Sequence, residues 1–158
     1  GATTVYMTEP LAYRRDFAHD YVADLVLDPL ASDIIAELRA LTNGRGVDVA
    51  FECAGAAETP AQAAELVRPG GKVIVAGIPS DDLMTMQAST VRRKGLTIKL
   101  VRRMKHTYPR AIELVARGAV DVTSLVTHHF PLERLEQGFE TAEGYCDGII
   151  KGVIEVNR

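Results

Sequence analysis

Gly46-Val47-Asp48-Val49-Ala50-Phe51-Glu52-Cys53-Ala54-Gly55 and Lys72-Val73-Ile74-Val75-Ala76-Gly77 decide the fold. Each is a short apolar run ending in small residues. A strand with one wet face alternates apolar and polar positions; a continuous run suits a strand buried on both faces, as in a parallel sheet. Between the two runs, Thr59-Pro60-Ala61-Gln62 reads as a capping box with Pro at the first helical position. Ala63, Leu66 and Val67 then face inward, and Pro69-Gly70-Gly71 reads as the helix stop. Strand, helix, strand in that order is a right-handed crossover.

The same grammar extends both ways. Further apolar runs lie at Thr3–Met7, Asp24–Leu27 and Leu96–Val101. Ile34, Ile35, Leu38 and Leu41 share a helical face that stops at Asn43-Gly44. A short connector covers Gln87–Arg93. Pro109 opens a helix with Ala111, Ile112, Leu114 and Val115, closed by Gly118. The expected fold is α/β, with the five runs side by side in one doubly wound parallel sheet. A soft boundary falls near Gly118–Thr123. Beyond it come a strand around Val126–Phe130, a helix bearing Leu132, Leu135, Phe139 and Ala142, and a strand Ile149–Val156. That tail does not continue the alternation and points to another layer or domain.

Composition narrows the function. The 158 residues are 47% hydrophobic and 25% charged, which excludes a disordered chain. No run approaches the roughly 18 apolar residues of a membrane span. The net charge of −3 argues against nucleic acid and polybasic membrane contact. The basic strings Val91–Lys94 and Val101–His106 lack interleaved aromatics, so they do not change that expectation. Two cysteines, Cys53 and Cys146, are too few for a disulfide framework or a structural zinc site, and a cytoplasmic setting is expected. His128 and His129 are adjacent on a strand and point to opposite faces, so they cannot share a metal and read as structural or surface residues. The chain contains no G-x-G-x-x-G, no phosphate-binding G-x-x-x-x-G-K-[ST] and no H-E-x-x-H.

In open α/β sheets ligands bind outside the carboxyl ends of the strands. Glu9 stands there, between an apolar run and a helix. A carboxylate in that place accepts from both hydroxyls of an adenosine ribose and repels a 2′-phosphate. Its plain alternative is an acid favoured by the dipole of the following helix. Arg14 is placed to reach the same ribose or phosphate, whereas Arg15 reads as a solvated helix face. Cys53-Ala54-Gly55 and Ala76-Gly77 let a flat ligand approach the backbone, or are ordinary turn chemistry. No base lies near Cys53 in sequence, so it is not expected to be a nucleophile. If Glu9 ends a second strand, a glycine loop is expected upstream of residue 1.

Gly46–Gly55 and Val67–Gly77 resemble the medium-chain dehydrogenase/reductase superfamily, and Leu125-Val126-Thr127-His128-His129-Phe130-Pro131-Leu132-Glu133 and Gly152–Val156 are similar to its zinc-dependent branch, nearest the sorbitol and polyol dehydrogenases. The resemblance implies a partial Rossmann NAD-binding domain over residues 1–123, lacking its first strand and glycine loop. Residues 124–158 would close a GroES-like catalytic domain. It implies hydride transfer between an alcohol or polyol and NAD, assisted in the parent protein by a zinc whose ligands this chain does not carry. No catalytic or metal residue is assigned here, and the chain alone is expected to be inactive. Glu9 and Arg14 match the adenosine-ribose positions, and Cys53 and Ala54 the adenosine side. Ala76, Gly77 and Ile78 match the loop facing nicotinamide, Val101 and Arg102 the carboxamide, and Arg103 the substrate pocket. Thr97–Val101 matches the edge strand of a homodimer. Val22 stands where many members have a helix-ending Gly, so the turn there should differ. Two other readings remain at this level: a methyltransferase-like adenosine-cofactor domain, marked by an antiparallel final strand beside the fifth, and a non-catalytic dimerising fragment.

Overall fold

The computed structural model describes residues 1–104 and 106–156. Each apolar run becomes a strand: β1 (Tyr6–Thr8), β2 (Leu25–Leu27), β3 (Val47–Glu52), β4 (Val67–Val75) and β5 (Thr97–Leu100), followed in the tail by β6 (Val126–Pro131) and β7 (Lys151–Glu155). The pairings β1·β2, β3·β4, β4·β5 and β6·β7 are all parallel. The helices are α1 (Ala12–Tyr21), α2 (Ile34–Leu41), α3 (Thr59–Leu66), α4 (Ala88–Lys94), α5 (Tyr108–Ala116) and α6 (Leu135–Glu143). The α/β class with parallel strands therefore stands. The expectation of one five-stranded ladder does not: β1 and β2 pair only with each other, and β3, β4 and β5 form a separate sheet. A strand belongs to a sheet through its hydrogen-bonded neighbours, and among the described residues no ladder joins these two groups.

Contacts divide the chain into two compact units, Gly1–Asp28 with His106–Arg158, and Pro29–Lys105. In the second unit Ala63, Val67, Val73 and Val75 are buried, with Val47, Ala50, Met86 and Leu96 packed against them. The helix expected to run to Pro69 instead ends at Leu66, and Val67 is already extended and paired with Val47. Pro69-Gly70-Gly71 is thus an irregular stretch inside β4, where the register slips before Val49 meets Lys72. Lys94 holds the end of α3, its Nζ donating to the carbonyls of Ala64, Glu65 and Val67 at 2.7–3.0 Å. A cation at a helix C-terminus satisfies orphan carbonyls and opposes the helix dipole.

The capping box does not form. Glu58 is the N-cap and Thr59 the first helical residue. Lying one position inside the helix, the Thr59 hydroxyl faces two acceptors, Glu52 Oε1 at 2.8 Å and the Ala56 carbonyl at 3.0 Å, and ties the helix start to the buried carboxylate.

In the first unit, β6 and β7 hold Phe130 and Ile149 nearly inaccessible. Gly138 of α6 lies where a Cβ would meet Phe130 and Ile154 side chains at 3.1–3.3 Å, which accounts for a glycine inside a helix. Helix α1 is pinned through Tyr13, whose hydroxyl donates to the Ile149 carbonyl at 3.2 Å. Val22 ends α1 at φ −129°, outside the left-handed region that a glycine would favour there, as its branched side chain requires.

Candidate functional site

The residues singled out from sequence fall into two groups, one in each compact unit. In the second unit the three parallel strands end in step, with Glu52 beside Val75 and Val75 beside Leu100. The residues that follow, Cys53-Ala54, Ala76-Gly77-Ile78 and Val101-Arg102-Arg103, therefore emerge along one carboxyl edge. Val101 N–H still donates to the Val75 carbonyl at 2.8 Å, so the edge stays ordered one residue past β5. Ile78 is 72% exposed at this rim, and Val101, Arg102 and Arg103 are exposed too.

One residue not singled out from sequence organises this edge. Glu52 is 3% exposed, the one buried charged side chain among the described residues. Its Oε1 accepts from Ala54 N–H at 2.9 Å, Gly55 N–H at 2.7 Å and Thr59 Oγ1 at 2.8 Å. Its main-chain carbonyl accepts from Ala76 N–H at 2.7 Å and Gly77 N–H at 3.0 Å. A single residue thus ties the turn after β3 to the loop after β4. Gly55 at φ +70° and Gly77 complete the contact: a Cβ on Gly55 would sit 2.6 Å from the Ile78 carbonyl oxygen, and one on Gly77 would run into Glu52 Oε2 and Gly55 N. The available signal was an acid closing an otherwise apolar strand, with Cys-Ala-Gly next and a threonine seven residues on.

Cys53 is exposed and unpaired. Partial burial, and then the negative charge of Glu52, push its thiol up. The thiolate is the nucleophile, so this environment opposes reactivity.

In the first unit, Glu9 follows β1 and is partly buried. Its Oε1 accepts from Leu11 N–H at 2.9 Å and its own N–H donates to the Leu27 carbonyl at 3.1 Å. The carboxylate thus serves the start of α1, and Oε2 has no partner among the described residues. The Arg14 guanidinium lies 4.9 Å from the ring centre of Tyr145 and 5.8 Å from that of Tyr13. Its Nε is buried without a hydrogen-bond partner. Arg15 corrects the expectation of a solvated face. Its Nη1 donates to the carbonyls of Glu9 at 2.9 Å and Pro10 at 2.6 Å, and its Nη2 pairs with Asp28 Oδ2 at 2.9 Å.

No group of three or more His, Cys, Asp or Glu able to hold a metal occurs among the described residues. His128 has Thr127 at 2.9 Å and Asp147 at 3.4 Å, while His129 has Glu155 at 3.1 Å. Separate acids hold the two rings, as their opposite orientation on a strand requires.

Comparison with known proteins gives the family. A family model described as zinc-binding dehydrogenase matches residues 1–117. The zinc-type alcohol dehydrogenase-like protein YdjJ of Escherichia coli (strain K12) is 35% identical over 158 residues, 99% of this chain and 45% of that protein. Sorbitol dehydrogenase of Bacillus subtilis (strain 168) is 32% identical over 158 residues, 100% of this chain and 45% of that protein. A solved structure from Sinorhizobium meliloti 1021, described as a zinc-binding dehydrogenase bound to NADP, superposes with a TM-score of 0.86 at 26% identity, covering 99% of this chain and 46% of that one. The chain spans about 45% of the length of the curated relatives it matches.

Proposed function

Because this chain belongs to the zinc-binding dehydrogenase family, we propose that it is the nucleotide-binding portion of an oxidoreductase that moves a hydride between an alcohol or polyol and NAD. The observation that carries this is the in-step ending of β3, β4 and β5, which sets Cys53-Ala54, Ala76-Gly77-Ile78 and Val101-Arg102 along one edge. Ligands of open parallel sheets bind at such an edge. Glu9 fits an adenosine ribose, since Oε1 is fixed by Leu11 N–H and Oε2 is left to accept from a hydroxyl. Small residues at 53–54 and 76–77 admit a flat ring close to the backbone. The nicotinamide, when bound, supplies the hydride acceptor; the residues of this chain bind it, orient it and shield one side of it. Arg103 is the candidate contact to the alcohol or polyol.

Zinc is a different matter. The described residues offer no ligand set for it, so no step is assigned to it here. The proposal assigns cofactor binding to this chain and no turnover to it alone. It keeps the division 1–123 and 124–158 as the boundary between cofactor and catalytic domains, and a cytoplasmic setting. Among the described residues the marker of the methyltransferase-like alternative is not seen: β5 pairs with β4, and β7 pairs with β6 in parallel.

The test is a titration with NADH. The chain contains no Trp and its five Tyr do not absorb in the nicotinamide band, so a rise in nicotinamide fluorescence excited in that band reports binding free of energy transfer from the protein. Saturable enhancement, displaced by NAD, is expected, with no hydride transfer from alcohols in the presence of zinc. Absence of any adenine-nucleotide binding up to millimolar concentration removes the proposal, and turnover by the chain alone removes its inactive corollary.

A further inference from the structure

We propose that Arg15 is a positioning residue that aims Glu9, and through it sets the preference for a ribose with a free 2′-hydroxyl over one carrying a 2′-phosphate. The inference rests on the ribose reading of Glu9. Every backbone polar group of Glu9 is already committed: its N–H to Leu27 at 3.1 Å and its carbonyl to Arg15 Nη1 at 2.9 Å. The same Nη1 takes the next carbonyl, of Pro10, at 2.6 Å. The proline ring fixes φ between those two carbonyls. The root of the Glu9 side chain is therefore held at both ends, and its tip is held by Leu11 N–H at 2.9 Å.

The anchor for this clasp is Asp28, just after β2, which pairs with Arg15 Nη2 at 2.9 Å. A planar guanidinium offers donors in two directions at once, here to two carbonyls and a carboxylate, which a single ammonium does less well. The pairing also bears on charge. Arg15 stands beside the ribose acid, where a free cation would attract a 2′-phosphate, and Asp28 neutralises it. Arg15 and Asp28 thus act together, one aiming Glu9 and the other keeping a competing positive charge quiet.

The test uses Arg15→Met, Arg15→Lys, Asp28→Asn and Glu9→Gln, each with three readouts: exchange of the Leu11 amide hydrogen, and dissociation constants for NAD and for NADP. Arg15→Met should speed Leu11 exchange by about tenfold and weaken NAD roughly 5- to 20-fold while leaving NADP within about twofold, on the scale of a single hydrogen bond between Glu9 and the ribose made worse. Arg15→Lys should recover at least half of the loss on a logarithmic scale. Asp28→Asn should strengthen NADP and so narrow the same ratio from the other side. If Arg15→Met does not fold, Asp28→Asn carries the test alone. Unchanged Leu11 exchange, or equal changes for NAD and NADP, overturns the positioning role. A Glu9→Gln protein with an unaltered NAD/NADP ratio, or an unsubstituted protein that binds neither nucleotide, overturns instead the ribose reading beneath it.

Discussion

At the scale of single residues, Glu52 shows how a buried charge becomes tolerable. A carboxylate taken out of water costs several kcal/mol unless its lone pairs are used. Here two amides and a hydroxyl converge on one oxygen. Glu52→Ala strands the Ala54 and Gly55 amides and should cost about 2–4 kcal/mol in chemical denaturation. Glu52→Gln keeps an acceptor and should recover most of it. The substitution also has a signed electrostatic effect. Glu52 is the second cause, after burial, that raises the Cys53 thiol pKa, so Glu52→Gln should lower that pKa and speed thiol–disulfide exchange at fixed neutral pH. An unchanged rate would refute the coupling. Asp121 offers a pH-dependent case. Its Oδ1 accepts from the Thr123 hydroxyl at 2.7 Å and the Thr123 amide at 2.8 Å. Chiefly through the Thr123 hydroxyl, these bonds bring its pKa down to about 2 from an ordinary 3.8. A depressed carboxylate stabilises the fold above the unfolded value and loses that contribution as pH falls through the folded one. The turn before β6 should therefore stay closed at pH 5 and open between about pH 4 and 2, read from the carboxyl titration of Asp121 and exchange of the Thr123 amide. The Asp121→Asn variant should lack that transition.

At the scale of elements, legibility followed locality. Helix α2 could be read from its own residues: Ile34 and Leu38 are buried as their spacing implies, and the stop at Asn43-Gly44 lies in left-handed backbone. Its N-cap is local too, with Asp33 Oδ1 accepting from Ile35 and Ala36 N–H at 3.0 and 3.1 Å. Asp33→Ala should lower stability by about 1 kcal/mol, while Asp33→Ser should cost much less, both measured by urea denaturation. Where the reading failed, a distant partner had intervened. Thr59 resembles a cap, but the helix begins at it, with Glu58 as the N-cap, and its hydroxyl donates to Glu52, seven positions earlier. Val67 resembles the inward face of a helix until Val47 draws it into a strand. Arg15 resembles a solvated side chain because Asp28, thirteen positions on, reaches it only once β1 and β2 have paired, while the carbonyls of Glu9 and Pro10 fill its other nitrogen. The residues that follow β3, β4 and β5 could be placed at the carboxyl edge because that placement depends on strand order alone. Glu52 was missed because its function lies in three-dimensional hydrogen bonding.

At the scale of the whole molecule, parallel pairing was readable from unbroken apolar runs, but the grouping of strands into sheets was not. A continuous run reports burial on two faces and says nothing about which neighbour supplies the ladder. The β5 edge illustrates what that leaves open. Ile98 and Leu100 share a sheet face with Val73 and Val75, yet are 38% and 64% exposed, whereas Val73 is fully buried. The core of this unit lies over the middle of the sheet, so β5 presents apolar side chains and an unpaired row of backbone donors and acceptors. Such an edge pairs with another strand unless charge or shape prevents it. Lys99 is its one charge, too few to block a partner that approaches by two-fold symmetry, since an isologous contact places the same strand antiparallel to itself and extends the sheet. We therefore expect a homodimer through Thr97–Val101. Sedimentation should give twice the chain mass at micromolar concentration. Leu100→Lys places two like charges across the axis and should yield a monomer with nearly unchanged circular dichroism. Ile112→Lys, on the exposed face of α5, is the control that should remain dimeric. A monomeric unsubstituted protein, or a Leu100→Lys variant that stays dimeric, would leave the edge without the assigned role.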